Sequence, residues 1–467
     1  MRRILIVEPD YQNKYPPLGL MKISSYHKLL GDYVQFVKGF DRILKTQRWD
    51  RIYISTLFTF YWKKTAETIQ YYLSSVSNPS HIFIGGVMAT LLADCIKKDF
   101  PDITIISGLL NHSGMLDSGN RYVIDNLIPD YGMLKETEYD YGLTDAYIGY
   151  ATRGCKNRCS FCAVHILEPE FIDYVCLKKQ ILGIEEIYGT RTNLVLLDNN
   201  VLASCKFREI IYDIIELGFH RDAKINNRKR KVDFNQGLDA RLLTKEKMEL
   251  LSMTAIKPLR IAFDFIEMSK LYIDKIKLAR DHGVLNLSNY VLFNFCDTPE
   301  DFYERLRINV LLNEELFTKI YSFPMKYIPL DAKDRKHVGR HWNRKLLRGV
   351  QCILLVTKGK VSPRREFFEA AFGSTAEEFI KIAAMPEEYI IYRRHYENNG
   401  AHDWGTLYDK LNRSQRDTLL NLVSTHSLGE NILRQVPPSR LRKLLVHYVE
   451  CEKKSKAKKQ GLLNVLR

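Results

Sequence analysis

The sequence predicts an α/β protein with an N-terminal doubly wound parallel sheet, a central partial (β/α)6 barrel and a mostly helical C-terminal region. Three observations predict this. Short β-branched runs alternate with helix-like stretches in residues 1–140, six further apolar runs recur in 141–330, and apolar residues at helical spacing dominate 331–467. With 467 residues, 45% of them hydrophobic, the chain can bury more than one core.

The N-terminal part alternates strands and helices. Its five strand-like runs are RILIVEP (3–9), VQFVKG (34–39), RIYIST (51–56), HIFIGG (81–86) and ITIISG (103–108). The stretches TAETIQYYLSSV and MATLLADCIKK, which have helical spacing, separate the last three. This order predicts a doubly wound sheet, in which ligands bind beyond the carboxyl ends of the strands.

The central part repeats a strand followed by a gap long enough for a helix. Its runs are AYIGYAT (146–152), NLVLLDN (193–199), KVDFNQG (231–237), LRIAFDF (259–265), NYVLFNF (289–295) and KIYSFPM (319–325). Good caps open two of the helices: Thr244, and Thr298 followed by Pro299 and Asp301. Repeated strand-helix units predict a barrel whose active face lies at the carboxyl ends of the strands.

Polar residues recur at those carboxyl ends. They are Asp198, Asn199 and Asn200; Asn235 and Gln236; Asp264 and Glu267; and Asn294. Each residue alone is explained by helix capping, but their recurrence in register favours a ligand site.

Three of the nine cysteines lie close together, as Cys155, Cys159 and Cys162 in the loop after the first central strand. The other six are scattered singly and are predicted to fill cores. Thiolates bind soft metals, and a cubane cluster held by three of them keeps one iron open for chemistry. Structural zinc is the alternative; His165 is near, but no second Cys or His pair lies at zinc-ribbon spacing.

The spacing C-x3-C-x2-C, with Phe161 just before the last cysteine, resembles the signature of the radical SAM superfamily. The series of six strands, in which this loop follows the first strand, is similar to the partial barrel of that superfamily. The resemblance implies a 4Fe-4S cluster on the three cysteines and S-adenosyl-L-methionine on the fourth iron. It also implies an external electron donor and reductive cleavage to a 5′-deoxyadenosyl radical.

The resemblance also suggests residues that bind the cofactor. The expected set is Phe161, Asp198, Asn199, Asn235, Gln236 and Asp264. The G-G-E that binds the amine in many members is missing after the second strand, where LLDNN stands instead. We therefore assign that role to Asp198 and Asn199.

The N-terminal part, residues 1–140, resembles the cobalamin-binding-type domain that precedes the barrel in one large subclass. The stretches YPPLGL, STLFTF and IGGVMATLL carry this resemblance. The first loop lacks the D-x-H-x-x-G whose histidine ligates cobalt, and holds Tyr11, Gln12 and Asn13 instead. Cobalamin is therefore left open as a cofactor, and His27 in the next helix is expected to pack.

The net charge of +15 is concentrated in three segments, at 224–231, 331–366 and 452–467. Any one of them could be a solvated surface, whereas three on one face would attract a polyanion. In the middle segment His337, His341 and Trp342 interleave with cations, a mixture that can stack on bases and pair with phosphates. Nucleic acid is therefore one candidate substrate, beside a peptide or a small metabolite.

Two functions are consistent with these features. The first is a radical SAM enzyme that modifies an unassigned substrate; the second is a non-catalytic iron-sulfur protein that binds nucleic acid through its basic segments. The polar residues at the strand ends favour the enzyme. No segment has the roughly 18 apolar residues of a membrane span, so we expect a cytoplasmic protein without a membrane partner.

Overall fold

The computed structural model describes residues 1–425 and 430–465. Two compact units make up the chain: Met1–Arg260 with Ile328–His337, and Ile261–Tyr327 with Val338–Arg467. This division cuts across the predicted segments 1–140, 141–330 and 331–467, and that three-part division stays a prediction. The predicted α/β class is confirmed, because parallel strands alternate with helices.

The first unit begins with a five-stranded parallel sheet. Its elements are β1 (Arg3–Glu8), α1 (Leu18–Leu29), β2 (Tyr33–Lys38), α2 (Arg42–Thr46), β3 (Arg51–Thr56), α3 (Trp62–Tyr72), β4 (Ile82–Gly86), α4 (Val87–Leu91), α5 (Ala93–Asp99) and β5 (Thr104–Ile106). The strand order is β2-β1-β3-β4-β5, with every neighbouring pair parallel. All five predicted strands are confirmed, and the order reverses between β1 and β3, the position where doubly wound folds bind ligands.

The core of this sheet explains why its strands read as apolar runs. Leu5, Val7, Ile52 and Ile54 are buried in one cluster with residues of the flanking helices. Ile4 and Ile6, which alternate with Leu5 and Val7 in β1, are also fully buried. A parallel sheet covered by helices on both faces buries successive side chains, so apolar residues need not alternate with polar ones.

The remainder of the first unit contains a second parallel sheet. Its elements are β6 (Ala146–Gly149), α6 (Val164–Leu167), α7 (Leu177–Tyr188), β7 (Asn193–Leu196), α8 (Phe207–Ile214), β8 (Lys224–Ile225), β9 (Arg228–Lys229), β10 (Lys231–Phe234), α9 (Lys245–Ser252) and β11 (Leu259–Arg260). β6 and β10 flank β7, and both pair with it in parallel. The carboxyl ends of three predicted strands therefore meet at one edge.

The basic run at 224–231 forms a β-hairpin that the sequence did not predict. Asn226 and Asn227 form its turn with φ of 47° and 61°, the left-handed region that asparagine tolerates in tight hairpins. The guanidinium of Arg230 lies 3.5 Å from the ring centroid of Phe219 and donates to the carbonyl of Arg191 at 3.1 Å. Part of this positive charge is therefore structural.

The second unit combines two strands with the C-terminal helices. Its elements are α10 (Ser269–Asp281), β12 (Asn286–Phe293), α11 (Pro299–Leu316), β13 (Lys319–Lys326), α12 (Arg344–Val356), α13 (Arg365–Phe372), α14 (Ala376–Ala384), α15 (Glu387–Ile391), α16 (Arg393–Tyr396), α17 (His402–Asp409), α18 (Arg413–Thr425), α19 (Glu430–Gln435) and α20 (Arg440–Val465). β12 and β13 pair in parallel over eight residues each. Closure of all six central strands into a partial barrel stays a prediction.

The predicted helix caps are confirmed in both units. Thr244 accepts a hydrogen bond from the backbone of Lys247 at the start of α9. At the start of α11, Thr298 and Asp301 form a reciprocal capping box with Pro299 at the first position. Among the described residues, none of the helices is both long enough and apolar enough to cross a membrane.

Candidate functional site

The cysteine loop begins where β6 ends. Cys155, Cys159 and Cys162 are each partly exposed, and the amide of Cys162 donates to the carbonyl of Cys159 at 3.0 Å. Because β6 pairs in parallel with β7, the loop leaves the sheet at the same edge as the residues after β7. The structure therefore places the loop beside the run Asp198–Asn200.

Asp198 anchors the start of this loop. Its carboxylate is buried and accepts hydrogen bonds from the amides of Ala151, at 3.0 and 3.2 Å, and Thr152, at 2.5 Å. The hydroxyl of Thr152 donates to the same group at 2.7 Å. The side chain therefore fixes the backbone three residues before Cys155, and its predicted contact with a cofactor amine stays a prediction.

A buried ion network holds the next two residues of the loop. Arg153 is 5% exposed and pairs with Glu168 at 3.0 Å, while the amide of Gly154 donates to Glu168 at 2.7 Å. Arg153 also lies 3.8 Å from Asp125, which pairs with the buried Lys22 at 3.0 Å. This network joins α1 to the cysteine loop through charges that are largely removed from water.

Glycine is required at position 154. Its φ is +72°, and a Cβ built there would lie 2.2 Å from the carbonyl oxygen of Glu170. A side chain would therefore force the segments before and after the cysteines apart.

Two N–H groups point at the sulfur of Cys155. The backbone amide of Asn157 and the side-chain Nδ2 of Asn200 each lie 3.4 Å from Sγ. Asn157 also donates to Asp239 at 2.9 Å, and Asp239 forms a bidentate pair with Arg241 at 2.8 and 2.7 Å. This hydrogen bonding raises the pKa of Arg241, with smaller contributions from the thiols of Cys159 and Cys155.

The other predicted cofactor residues lie in several environments. Phe161 is partly buried within the loop, and Asn199 donates to Glu168 at 3.2 Å. Asn235 is buried and Gln236 is exposed at the end of β10. Asp264 belongs to the second unit, where its carbonyl accepts from the buried Arg305 at 2.6 Å. The cofactor contacts assigned to these residues stay predictions.

Sequence reasoning did not find every residue that orders the site. Asn200 was visible as a polar residue at a strand end, but no local pattern indicated its contact with Cys155. The pairing of Arg153 with Glu168 joins residues 15 positions apart across an irregular loop, where no periodicity relates them. Tyr15, from the loop after β1, donates to Asn235 at 2.5 Å, a pairing that adjacency in sequence cannot indicate.

The donor set fits an iron-sulfur cluster better than a closed metal site. Three thiols on one loop are soft ligands, and N–H groups directed at a ligand sulfur are a common feature around such clusters. Across residues 1–425 and 430–465, no three or more His, Cys, Asp or Glu side chains form a group that could hold a single metal ion. The fit therefore rests on the chemistry of the donors.

The scattered cysteines differ in burial. Cys352 and Cys451 are buried, as predicted, and Cys95 is partly exposed. Cys176 and Cys205 are exposed, as is Cys296. The prediction of core fillers is wrong for these three, because they lie in loops or at a helix start rather than within apolar faces.

The middle basic segment contributes to packing. Within the first unit, Lys333 lies 3.6 Å from a ring centroid of Trp62, and Arg335 lies 4.1 Å from that of Phe60. Trp342 is buried in the second unit and donates to the carbonyl of Asp297 at 3.0 Å. The expectation that Trp342 stacks on bases is therefore wrong, because its ring is inside the core.

The lysine-rich C-terminal segment belongs to the last helix. Its backbone continues α20 as far as residue 465. Residues 466 and 467 lie outside the described residues. Binding of nucleic acid by the basic segments stays a prediction.

Comparisons with known proteins find distant structural similarity. No family model matches the chain, and no curated protein matches it. The chain is similar to coproporphyrinogen III oxidase (HemN) from Escherichia coli, described as a radical SAM enzyme, with 13% identity and a TM-score of 0.32 over 48% of this chain and 57% of that one. It is also similar to SuiB from Streptococcus suis, solved with the precursor peptide SuiA, with 14% identity and a TM-score of 0.31 over 63% and 64%.

The chain thus spans less than two thirds of either structure. Its own fold and site define its class: an α/β protein with three thiols on an anchored loop at the carboxyl edge of a parallel sheet.

The pH dependence of stability should report on Asp198. Burial raises the pKa of this carboxyl from 3.8 to about 6, so the folded chain binds more protons than the unfolded chain between these values. Stability should therefore fall as pH rises from about 4 to about 6, by about 3 kcal/mol, and then level off. Asp198→Asn should lack this component. Urea unfolding at several pH values measures the free energy of unfolding of both proteins. If the two free energies change with pH by the same amount over this range, Asp198 is not the group responsible.

Cobalamin should not bind through His27. Its Nδ1 lies 2.8 Å from Asp32 and its Nε2 lies 3.0 Å from the hydroxyl of Tyr53, so both ring nitrogens are engaged. The ring is fully buried, which lowers its pKa to about 4. We predict that hydroxocobalamin added to the protein shows no histidine-coordinated spectrum. Appearance of that spectrum, and its loss in His27→Gln, would show the opposite.

Proposed function

We propose that this protein is a radical SAM enzyme with a 4Fe-4S cluster on Cys155, Cys159 and Cys162. The observation that carries the proposal is the three-thiol loop at the end of β6, whose backbone is held by the buried carboxylate of Asp198 and the partly buried carboxylate of Glu168. An ordered loop with three thiols supplies three ligands and leaves one iron for S-adenosyl-L-methionine.

Cys155, Cys159 and Cys162 would hold the cluster, and the chemistry it would supply, with an external electron donor, is one-electron reductive cleavage of the C5′–S bond of S-adenosyl-L-methionine to methionine and a 5′-deoxyadenosyl radical. The protein supplies position and electrostatics. Asp198 and Glu168 hold the loop backbone, and Arg241 places positive charge near two of the thiols. Tyr15 orients Asn235 at the end of β10, where a cofactor contact is proposed.

The direct test is SAM cleavage by the whole chain. Protein purified without oxygen, reconstituted with iron and sulfide and reduced with dithionite should convert S-adenosyl-L-methionine to 5′-deoxyadenosine and methionine. Mass spectrometry measures the products, and protein that was not reduced is the control. A cluster that forms without any cleavage would favour the alternative, a non-catalytic iron-sulfur protein that binds nucleic acid.

Nucleic acid as the substrate class has a separate test. Arg344 is exposed at the start of α12, whereas Arg348 is paired with Glu387 at 2.8 and 2.6 Å. If the basic segment 331–366 contacts phosphates, the logarithm of the association constant falls linearly with the logarithm of the salt concentration. Arg344→Ala should reduce the magnitude of that slope by about one, and Arg348→Ala should reduce it less. Fluorescence titration with single-stranded and structured RNA measures the slope. Absence of binding at low salt would leave a peptide or a small metabolite.

A further inference from the structure

The side chain of Asn200 meets the cysteine loop at the sulfur of Cys155. Its Nδ2 lies 3.4 Å from Sγ of Cys155, immediately beyond the Asp198 anchor. The residue is 3% exposed, so water does not compete strongly for this donor. A single contact of this kind is sufficient to affect a bound cluster, because the potential of a cluster responds to a hydrogen bond at any one ligand sulfur.

The buried side-chain amide of Asn200 lowers the stability of the fold. Its Oδ1 is buried and accepts no hydrogen bond from the described residues. A buried acceptor without a donor is destabilising, and an apolar side chain of similar size would avoid that cost. Packing alone therefore does not explain an asparagine here, whereas its donor contact with Cys155 does.

Sγ of Cys155 also accepts a hydrogen bond from the backbone amide of Asn157, at 3.4 Å. That donor belongs to the loop itself and is present whatever the side chain at 157. The amide of Asn200 is the donor that the sequence can change, so this position can tune the thiolate without altering the path of the loop.

We propose that Asn200 is a positioning residue that raises the reduction potential of the cluster through its N–H···S hydrogen bond to Cys155. The inference rests on the proposed function, since it requires a cluster on the three thiols. Reduction adds negative charge that is shared with the ligand sulfurs, and an N–H dipole directed at a sulfur stabilises the more negative state. Loss of this donor makes the cluster harder to reduce.

The test is a redox titration of the reconstituted full-length protein, monitored by EPR without S-adenosyl-L-methionine. Asn200→Ala should lower the ratio of reduced to oxidised cluster about three- to tenfold at a fixed potential, the range of one net hydrogen bond. For a one-electron couple this is a shift of about 28 to 59 mV to more negative potential. An unchanged potential with a normal iron content would overturn the proposal.

Two further variants separate tuning from a structural role. Asn200→Asp keeps the shape but replaces the N–H donor by a carboxylate, so its potential should shift in the same direction and at least as far. Asn193→Ala removes an amide at the opposite end of β7, where Nδ2 faces the carbonyl of Asp145 at 3.5 Å, and should leave the potential unchanged. Equal shifts in Asn200→Ala and Asn193→Ala would mean a general structural effect and would also overturn the proposal.

Failure of the proposed function has a different signature. If wild-type protein forms no 4Fe-4S signal, the ligand assignment fails before the potential can be compared. If wild type and both Asn200 variants form the cluster with the same potential, the cluster stands and only the role of Asn200 is lost.

Discussion

Cys155→Ala, Cys159→Ala and Cys162→Ala should each abolish formation of 5′-deoxyadenosine. Loss of a residue that merely orients a metal ligand costs about 10- to 100-fold in affinity or activity, so loss of a ligand should exceed that range. The three thiols share one loop, and a cluster held by two of them lacks the ligand set that leaves a single iron open. We expect the brown iron-sulfur absorbance to be lost together with the product.

The exposed cysteines provide matched controls for these variants. Cys176 and Cys205 are also accessible thiols, but they lie outside the loop between β6 and α6. Cys176→Ala and Cys205→Ala should retain iron, sulfide and cleavage of S-adenosyl-L-methionine. If a variant of Cys155, Cys159 or Cys162 keeps wild-type iron content and turnover, that cysteine is not a ligand. If both control variants lose the cluster, the loss reflects a general structural effect of removing a cysteine.

Regular elements were predictable from sequence because their causes are local. The β-branched runs of the first sheet and the capping box at Thr298 involve residues within one strand or one helical turn. The position of the cysteine loop was predictable from the strand before it, since β6 ends a few residues ahead of Cys155. These features could be predicted without knowing which distant segments are in contact.

Features that depend on tertiary contact were not predictable. The hydrogen bonds from the backbone of Ala151 and Thr152 to the carboxylate of Asp198 were not predicted, because they depend on the register of β7 on β6. Trp342 was expected on a basic surface, yet its ring packs near Phe293 at 5.5 Å. The local sequence of a tryptophan flanked by basic residues is the same whether its ring faces solvent or packs into a core that a distant segment completes.

Arg153→Met should lower the free energy of unfolding by about 3 kcal/mol. Removal of one partner of a buried ion pair leaves the other charge poorly solvated, which typically costs about 3 to 5 kcal/mol, and we take the lower figure because Glu168 also accepts from Gly154 and Asn199. The guanidinium also lies 4.0 Å from the ring centroid of Tyr150, a contact that methionine replaces only in part. Urea unfolding of the full chain measures the loss.

The double variant Arg153→Met with Glu168→Gln tests the electrostatic origin of this loss. If the uncompensated carboxylate is the cause, neutralising it should recover about 1 kcal/mol or more, within the range of coupling for residues in direct contact. The exposed pair Arg208 and Glu246, at 2.5 Å, is the control: Arg208→Met should change stability by less than about 0.5 kcal/mol, because water screens that pair. Additive losses in the double variant would assign the role of Arg153 to packing.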